Sequence, residues 1–295
     1  MKPKTLILDL LSASDPTPLP TPALLRAGRV FRLKENTIRV TLQRLAAAGT
    51  IERRGTNGER RYALSGRSRI LNRHILEAQT LCPRAWNGQW TLVIAWAPGV
   101  VRRARDRLRQ ALRVLRLANL QPGVWVRPNN LDLSLEEVLR EYGLDKEVIW
   151  AIGPLHHGRS DASLARDLFD LEDIARQIDR ACRDLKTSAR RLSTLPRDRA
   201  LAESFLVGGR AIKALFGDPL LPPPLLPALW RGEELRARFA AYDRVGRALW
   251  REVVGFAPGR RPVPALGVRA HTPPHFLTAT PEVPRRRESS KKEMP

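Results

Sequence analysis

The first quarter of the chain carries apolar residues at helical spacing and then in two short strand-like segments. Helical periodicity predicts short helices over 5–11 and 22–30 and a third over 35–48, in which Ile38, Leu42 and Leu45 repeat at i, i+4 and i+7. The two segments of 51–64 meet at an Asn-Gly dipeptide, which accepts the positive φ that a two-residue hairpin turn needs. Three helices followed by a hairpin predict a winged helix-turn-helix domain over 1–73.

The middle of the chain alternates strand patterns with helix patterns. The predicted strands are WTLVIAW (90–96), 123–128 and 147–154, and the predicted helices are 100–118 and 134–143. Ser134 and Gly143 are typical of the first and last residues of the second helix. Strand, helix, strand, helix and strand in this order predict a ferredoxin-like α/β domain over 86–157, after a helical connector over 74–85.

The last third of the chain shows helical apolar stripes and then loses all periodicity. The stripes predict helices over 168–192, 200–216 and 235–253, in a helical carboxy-terminal domain over 158–257. Residues 258–295 are rich in Pro, Arg and Ser, which predicts a disordered basic tail. The fold class expected for the whole chain is α+β and mainly helical.

Positive charge is concentrated at the amino end. The 295 residues include 52 Lys and Arg against 30 Asp and Glu, a formal net charge of +22. Such a balance suits a polyanion, whether nucleic acid, an anionic membrane surface or a phosphorylated ligand. Residues 1–73 hold 15 of the basic and 5 of the acidic side chains, a net charge of +10. A uniformly arginine-rich composition does not predict this asymmetry, so the first domain is the expected contact with nucleic acid.

Residues that could carry catalysis or bind metal are sparse. Cys82 and Cys182 lie far apart without a Cys/His cluster, which excludes a zinc finger and argues against a disulfide framework. No segment approaches the ~20 apolar residues of a membrane span, so we expect a soluble, cytoplasmic protein. The His156-His157 pair is expected in a loop, since adjacent side chains on a strand point to opposite faces. No catalytic triad, phosphate-binding loop or acid pair stands out, so we expect neither an enzyme nor a cofactor or metal site.

The third predicted helix supplies the expected DNA-reading face. Opposite its apolar stripe lie Asn36, Thr37, Arg39, Gln43 and Arg44. Arg bonds guanine bidentately, and Asn or Gln bonds adenine. The predicted contacts of the hairpin with phosphates or the minor groove are Arg53, Arg54, Asn57, Arg60 and Arg61. The alternative for this domain is a winged helix that contacts protein and leaves its charge in solvent.

Motifs in all three domains resemble one known family. They are ENTIRVTLQRLAAAGTIERRGTNGERRYALS in the first domain, WNGQWTLVIAW and GVWVRP in the second, and GDPLLPPPLLPALWRG followed by YDR in the third. The last motif is the most specific, because two Pro-Leu-rich steps before a Trp are rare by chance. On these residues the chain resembles the PaaX-type transcriptional repressors of phenylacetic acid catabolism, over nearly all of its length before the tail.

The resemblance implies a fold and a mode of action. It implies an amino-terminal winged helix, a middle domain like the ferredoxin-like CRISPR spacer-acquisition nucleases, and a helical carboxy-terminal domain. It also implies a homodimer on a palindromic double-stranded DNA operator, released by an acyl-CoA thioester such as phenylacetyl-CoA, that controls aromatic-acid catabolic genes. Two features depart from the pattern. The tail lies outside it, and the first middle strand ends in Trp96 and Ala97, without a carboxylate that could hold a metal for hydrolysis.

An acyl-CoA effector needs cations for its phosphates. The predicted effector-binding residues are Arg102, Arg105, Arg109 and Trp230. The arginines also fit a solvated helix face, and the tryptophan also fits core packing. Two other functions stay open from the sequence: a nuclease-like, nucleic-acid-processing protein that uses the middle domain, and a sequence-independent RNA-binding or architectural protein.

Overall fold

The computed structural model describes residues 1–55, 59–77, 81, 83–95 and 102–255, the side chains of 102–104 excepted. It shows a mixed α+β protein with two small sheets and a helical carboxy-terminal region. The helices are α1 (Pro3–Ser14), α2 (Thr21–Val30), α3 (Glu35–Ala47), α4 (Gly66–Glu77), α5 (Arg102–Val114), α6 (Leu135–Glu141), α7 (Asp161–Phe169), α8 (Leu171–Arg191), α9 (Arg197–Gly217) and α10 (Gly232–Val254). The strands are β1 (Leu19–Pro20), β2 (Ile51–Arg54), β3 (Arg61–Leu64), β4 (Gln89–Ile94), β5 (Ala118–Gln121), β6 (Val124–Pro128) and β7 (Ile149–Pro154).

The amino-terminal unit consists of α1–α3 and a three-stranded sheet in the order β1-β3-β2. β2 and β3 pair antiparallel, with Ile51 opposite Leu64, as the hairpin pattern predicts. The sequence did not predict β1, in which Leu19 pairs with Tyr62, because two residues in a Pro-rich segment give no strand periodicity. Asn57, at the predicted turn, lies outside the described residues.

The middle unit is a four-stranded antiparallel sheet in the order β5-β6-β4-β7. With α5 and α6 between the strands, the chain order is β-α-β-β-α-β, which is typical of a ferredoxin-like unit. The helix predicted over 100–118 was too long, since α5 ends at Val114 and Arg116 has a left-handed φ of 57°. The sequence missed β5 because the apolar residues Leu115 and Ala118 continue the helical spacing of α5.

The carboxy-terminal region is helical. The stripe predicted as one helix over 168–192 is divided between α7 and α8. Asp170 separates them with a φ of 45°, and its carboxylate accepts a hydrogen bond from the Asp173 amide at 3.4 Å, which caps α8. Helices α8, α9 and α10 pack around residues such as Ile178, Ile212 and Phe239.

The amino-terminal unit and the carboxy-terminal helices share one hydrophobic core. Phe205 of α9 and Trp250 of α10 lie in the same cluster as Ile38 of α3. The ring of Phe31, just after α2, lies 5.3 Å from that of Phe205 and 6.3 Å from that of Trp250, centroid to centroid. Helical spacing shows that α10 has an apolar face but not which element covers it. The domain boundaries and the tail at 258–295 stay predictions, and that tail lies outside the described residues.

None of the described helices is both long enough and apolar enough to cross a bilayer.

Candidate nucleic-acid interface

α3 buries one face and exposes the other. Ile38, Leu42 and Leu45 are 0%, 1% and 4% exposed and pack in the amino-terminal core. The rest of the helix surface leaves all five predicted base-contacting residues at least partly accessible: Asn36, Thr37, Arg39, Gln43 and Arg44. The apolar stripe is therefore sufficient to tell which side of α3 is accessible, and the role of the five residues as base contacts stays a prediction.

α2 approaches α3 closely at Gly28. A Cβ atom at this position would lie 3.0 Å from Cγ1 of Ile38, so a larger residue would require Ile38 to shift by a few tenths of an ångström. The amide of Leu33 donates to the carbonyl of Gly28 at 3.0 Å, and Arg32 has a φ of 55°. These contacts close the short connection between the helices and fix the direction in which α3 leaves α2.

Accessible cations surround the beginning of α3, and the sequence reasoning missed them. They are Arg29, Arg32 and Lys34, here called the entry cluster. Arg29 donates a hydrogen bond to Glu35 at 2.6 Å, which lowers the pKa of that carboxyl, and Arg39 lies 3.8 Å from the same carboxylate. Periodicity cannot reveal the entry cluster, because most of it lies in the turn. Basic residues just before a predicted recognition helix are the signal that could have found it.

The hairpin presents arginines of two kinds. Arg54 pairs with Glu52, and Arg61 pairs with Glu59 at 3.0 Å. Arg53 and Arg60 are exposed and form no ion pair with any residue that the structure describes. Their positive charge is therefore uncompensated within the described chain, which suits them to an external anion.

Arg69 of α4 holds the hairpin against the rest of the amino-terminal unit. Its guanidinium lies 3.0 Å from the carboxylate of Asp15 and 3.2 Å from that of Glu52. It also donates to the carbonyl of Leu64 at 3.2 Å. One partly buried side chain thus joins the segment after α1 to both strands, so the hairpin arginines are fixed relative to α3.

The predicted effector-binding residues do not assemble into one site in the described part of the chain. Arg105 and Arg109 are exposed on α5, and Arg109 lies 3.8 Å from Asp106. The side chain of Arg102 lies outside the described residues. Trp230 is partly buried and packs against the clusters around Phe239 and Trp90, and not against the cluster that contains α5.

Two arginines that the sequence did not single out are buried where the middle unit meets the carboxy-terminal helices. Arg116 donates to the carbonyls of Phe216 and Asp218, the latter at 2.8 Å, and Arg127 donates to Oδ1 of Asn130 at 2.8 Å. Burial lowers the pKa of Arg116 to about 10 and that of Arg127 to about 9. The arginine-rich stretch that starts at α5 is therefore only partly a solvated face. The sequence signal that could have revealed the burial of Arg116 is its position as a lone Arg within the apolar run LRLA (115–118).

His157 is tied into the fold. Its Nε2 lies 3.1 Å from Oδ1 of Asp161, which also accepts a hydrogen bond from the indole of Trp90 at 3.1 Å. His156 is exposed at a shallow cleft of about 580 Å³. Across the described residues, no three His, Cys, Asp or Glu side chains are grouped to hold a metal ion.

Two protein-family models match the chain. Residues 83–165 match the PaaX protein central Cas2-like domain, and residues 169–252 match the PaaX-like protein C-terminal domain. Together these stretches make up more than half of the 295 residues. The chain belongs to the PaaX family. The resemblance inferred from its motifs is thereby confirmed.

In this PaaX-family chain the central match spans β4–β7 with α5 and α6, and the second spans most of α8–α10. Residues 1–82, which hold the candidate interface, lie outside both matches.

The chain is also similar to a solved structure, the uncharacterized protein Rv0674 from Mycobacterium tuberculosis. The identity is 29% and the TM-score is 0.56, over 84% of this chain and 96% of that one. A comparison with curated proteins gives no match.

Membership of the PaaX family supports a role in transcription regulation and repression. It does not favour the nuclease-like alternative. β4, whose sequence is QWTLVI, contains no carboxylate that could hold a catalytic metal on this strand.

Proposed function

We propose that this PaaX-family protein is a DNA-binding repressor of aromatic-acid catabolic genes, released from its operator by an acyl-CoA effector such as phenylacetyl-CoA. In this proposal α1–α3 and the hairpin β2–β3 act as a winged helix-turn-helix. The observation that carries the proposal is the accessible polar face of α3, with cations at its beginning and in the hairpin.

The dimensions and chemistry of α3 suit the major groove. The groove is about 12 Å wide and admits one α-helix with its side chains. Arg39 and Arg44 then face guanine, and Gln43 faces adenine. Arg32 and Lys34 of the entry cluster, which form no ion pair with a described residue, lie at one end of α3 and neutralise phosphates there. Arg53 and Arg60 supply the same charge from the hairpin.

A homodimer matches the two-fold symmetry of a palindromic operator. The proposed contact is β7, whose outer edge pairs with no strand in the described part of the chain. Ile149, Trp150 and Ile152 on this edge strand are 71%, 38% and 47% exposed, and a second copy would cover them. Analytical ultracentrifugation tests this contact. Lys in place of Ile149 and Ile152 should yield monomers, whereas Lys in place of Val245, an exposed residue of α10, should not.

The effector is proposed to bind where the middle unit meets the carboxy-terminal helices. In the described structure, the Nε and Nη2 atoms of buried Arg116 have no hydrogen-bond partner, which supports a polar rearrangement at this junction. A ligand that binds only the folded state raises the melting temperature. A thermal-shift screen of acyl-CoA thioesters, with free coenzyme A as control, should therefore find a stabilising thioester. Equal melting temperatures for all of them would reject this class of effector and leave DNA binding untouched.

One experiment separates the repressor from its alternatives. Labelled DNA from upstream of the protein's own gene is incubated with the protein and Mg²⁺, with unlabelled competitor DNA present. Retarded but intact DNA supports the repressor. Cleaved DNA supports the nuclease-like alternative, and retardation that any competitor abolishes supports an architectural protein.

A further inference from the structure

Arg116 lies just after α5, in a backbone position that glycine usually occupies. The amide of Leu117 donates to the carbonyl of Leu112 at 3.0 Å. The amide of Arg116 donates to the carbonyl of Arg113 at 3.1 Å, and its φ is 57°. This pair of hydrogen bonds ends a helix through one left-handed residue, and only glycine adopts that conformation without strain. The end of the helix therefore does not explain why an arginine stands there.

The guanidinium of Arg116 has one edge without a partner. Its Nη1 donates to the carbonyls of Phe216 and Asp218. Its Nε and Nη2 are buried and have no hydrogen-bond partner among the described residues. The N–H bonds of these two nitrogens are parallel and form the edge with which arginine binds both oxygens of a carboxylate or a phosphate. The unpartnered atoms therefore have the arrangement that an oxyanion requires.

Arg127 is buried in the same region, and all three of its nitrogens have partners. Its Nε donates to the carbonyl of Pro128 at 2.9 Å, and its Nη2 donates to Oδ1 of Asn130 at 2.8 Å. Its Nη1 donates to the carbonyl of Leu115 at 3.2 Å. The fold thus satisfies one buried guanidinium with its own oxygens and leaves an edge of Arg116 open.

The charges around Arg116 do not balance. Arg113 and Arg236 repel its guanidinium, and Asp218 attracts it. The carboxylate of Asp218 is already engaged, because Oδ2 accepts a hydrogen bond from Arg236 at 3.0 Å and Oδ1 accepts one from the amide of Leu220 at 3.1 Å. Burial lowers the pKa of Arg116 to about 10, so the guanidinium stays charged at neutral pH. Since a buried charge is costly without a partner, an added oxyanion would offset both the charge and the unpaired N–H groups.

We propose that the Nε–Nη2 edge of Arg116 binds one oxyanion of the effector, either a phosphate of a coenzyme A thioester or the carboxylate of a free aromatic acid. The inference rests on the proposed function, because it names the chemistry that holds the effector at this junction.

Binding at Arg116 requires neighbouring residues to move, because both nitrogens are buried. Segment 218–231 begins at one of the carbonyl acceptors of Arg116 and leads into α10. The last turn of α10 packs in the core that contains α1–α3. An oxyanion at Arg116 therefore acts on a part of the chain that is connected to the proposed DNA-reading unit.

Isothermal titration calorimetry of the full-length protein tests this site with four probes: inorganic pyrophosphate, coenzyme A, phenylacetyl-CoA and phenylacetate. Arg116→Lys keeps the positive charge and a donor for the two carbonyls but lacks the two parallel N–H bonds. It should bind the probe that the wild type binds about tenfold more weakly or worse. Arg127→Lys is the matched control, because it alters a buried arginine without an open edge, and it should keep the wild-type affinity.

Asp218→Asn should have the opposite effect, and it carries the test if Arg116→Lys does not fold. It removes the negative charge that attracts Arg116 and leaves the guanidinium in place. Binding of the same probe should therefore become tighter. A purely structural role of this cluster predicts weaker binding for every variant that disturbs it.

The oxyanion site is rejected if no probe binds the wild type, if Arg116→Lys and Arg127→Lys lose affinity equally, or if Asp218→Asn weakens binding. Binding of pyrophosphate or coenzyme A that depends on Arg116 identifies the oxyanion as a phosphate. Phenylacetate as the one probe that binds would support the site with a carboxylate and reject the acyl-CoA effector. A thioester that binds all variants equally would reject the site and leave the acyl-CoA effector standing.

Discussion

At the scale of residues, the proposed function assigns the reading of bases to side chains on the accessible face of α3. Replacing Arg39 or Gln43 with Ala should cost ~1–3 kcal/mol at one or two base pairs, because Ala cannot form the bidentate hydrogen bonds to the base. Selection from random duplexes, followed by competition binding, measures this change. Arg180→Ala on α8 serves as control and should keep the preference. An equal loss of affinity for all sequences would contradict base reading by α3.

Asp9 is a buried acid that forms no ion pair with any residue that the structure describes. It is 1% exposed, and neither carboxylate oxygen has a hydrogen-bond partner among the described residues. Burial raises the pKa of its carboxyl well above the ordinary value. Because the folded pKa exceeds the unfolded value of ~3.9, the protonated form stabilises the fold fully below that value, and this contribution disappears as pH rises through the folded pKa.

Asp9→Asn should therefore stabilise the protein at neutral pH. We expect a gain of at least ~1 kcal/mol, since a neutral amide costs less to bury than a carboxylate. The gain should shrink as the pH falls towards 4, where Asp9 itself is neutral. Thermal unfolding from pH 4 to pH 8 measures the difference. A variant less stable than the wild type at every pH would show that the carboxylate has a stabilising role.

The sequence predicts the burial or exposure of some residues and not of others, and the difference has a physical reason. Ile38, Leu42 and Leu45 repeat every turn, so the opposite face of α3 follows directly from their spacing. Asp9 and Arg116 each interrupt an apolar run, but the local pattern does not tell which distant elements bury them. The entry cluster is intermediate, since its charge is evident but its accessibility beside α3 depends on the turn.

At the scale of elements, the hairpin should supply affinity rather than specificity. Replacing the uncompensated pair Arg53 and Arg60 with Gln should weaken binding to all sequences. The slope of log K against log salt concentration should become less steep by about 0.9 for each phosphate that is left without its arginine. The paired residues Arg54 and Arg61 offer a matched control, because Glu52 and Glu59 already offset their charge. The account of the hairpin fails if both double variants behave alike or if the base preference shifts.

Helices were the easier elements to predict and short strands the harder. α3 and α10 span several turns, so their apolar spacing repeats often enough to be recognised. β1 has two residues, too few for an alternation to stand out, and the apolar residues of β5 continue the helical spacing of α5. The left-handed residues Arg116 and Asp170 redirect the chain at positions that no Gly or Pro marks.

At the scale of the whole molecule, the carboxy-terminal helices pack against the amino-terminal unit, to which the proposal assigns DNA reading. Trp250 stacks on Phe31, and its indole donates to the carbonyl of Leu201 and to Oγ of Ser204, both at 3.2 Å. Phe31 immediately precedes the turn into α3. The shared core therefore links the position of α3 to elements some 200 residues away in sequence, which no local pattern could predict.

Trp250→Ala should reduce stability by ~3–5 kcal/mol, as expected for a buried Trp, and should also weaken specific DNA binding. Trp125→Ala is the control, because Trp125 packs against the α5 cluster, away from α2. Both variants are compared by anisotropy at a temperature where circular dichroism shows them folded. If the two variants bind DNA with equal affinity, the claim that α10 helps to hold α3 in place is contradicted.

The most direct test of the central claim is the affinity of the purified protein for the promoter fragment upstream of its own gene. The measurement is made at moderate ionic strength with excess calf-thymus DNA. The account predicts a saturable complex that the competitor does not remove and that Gln43→Ala weakens. A complex that the competitor abolishes, or none at all, would contradict the assignment of α3 and the hairpin as a sequence-reading surface.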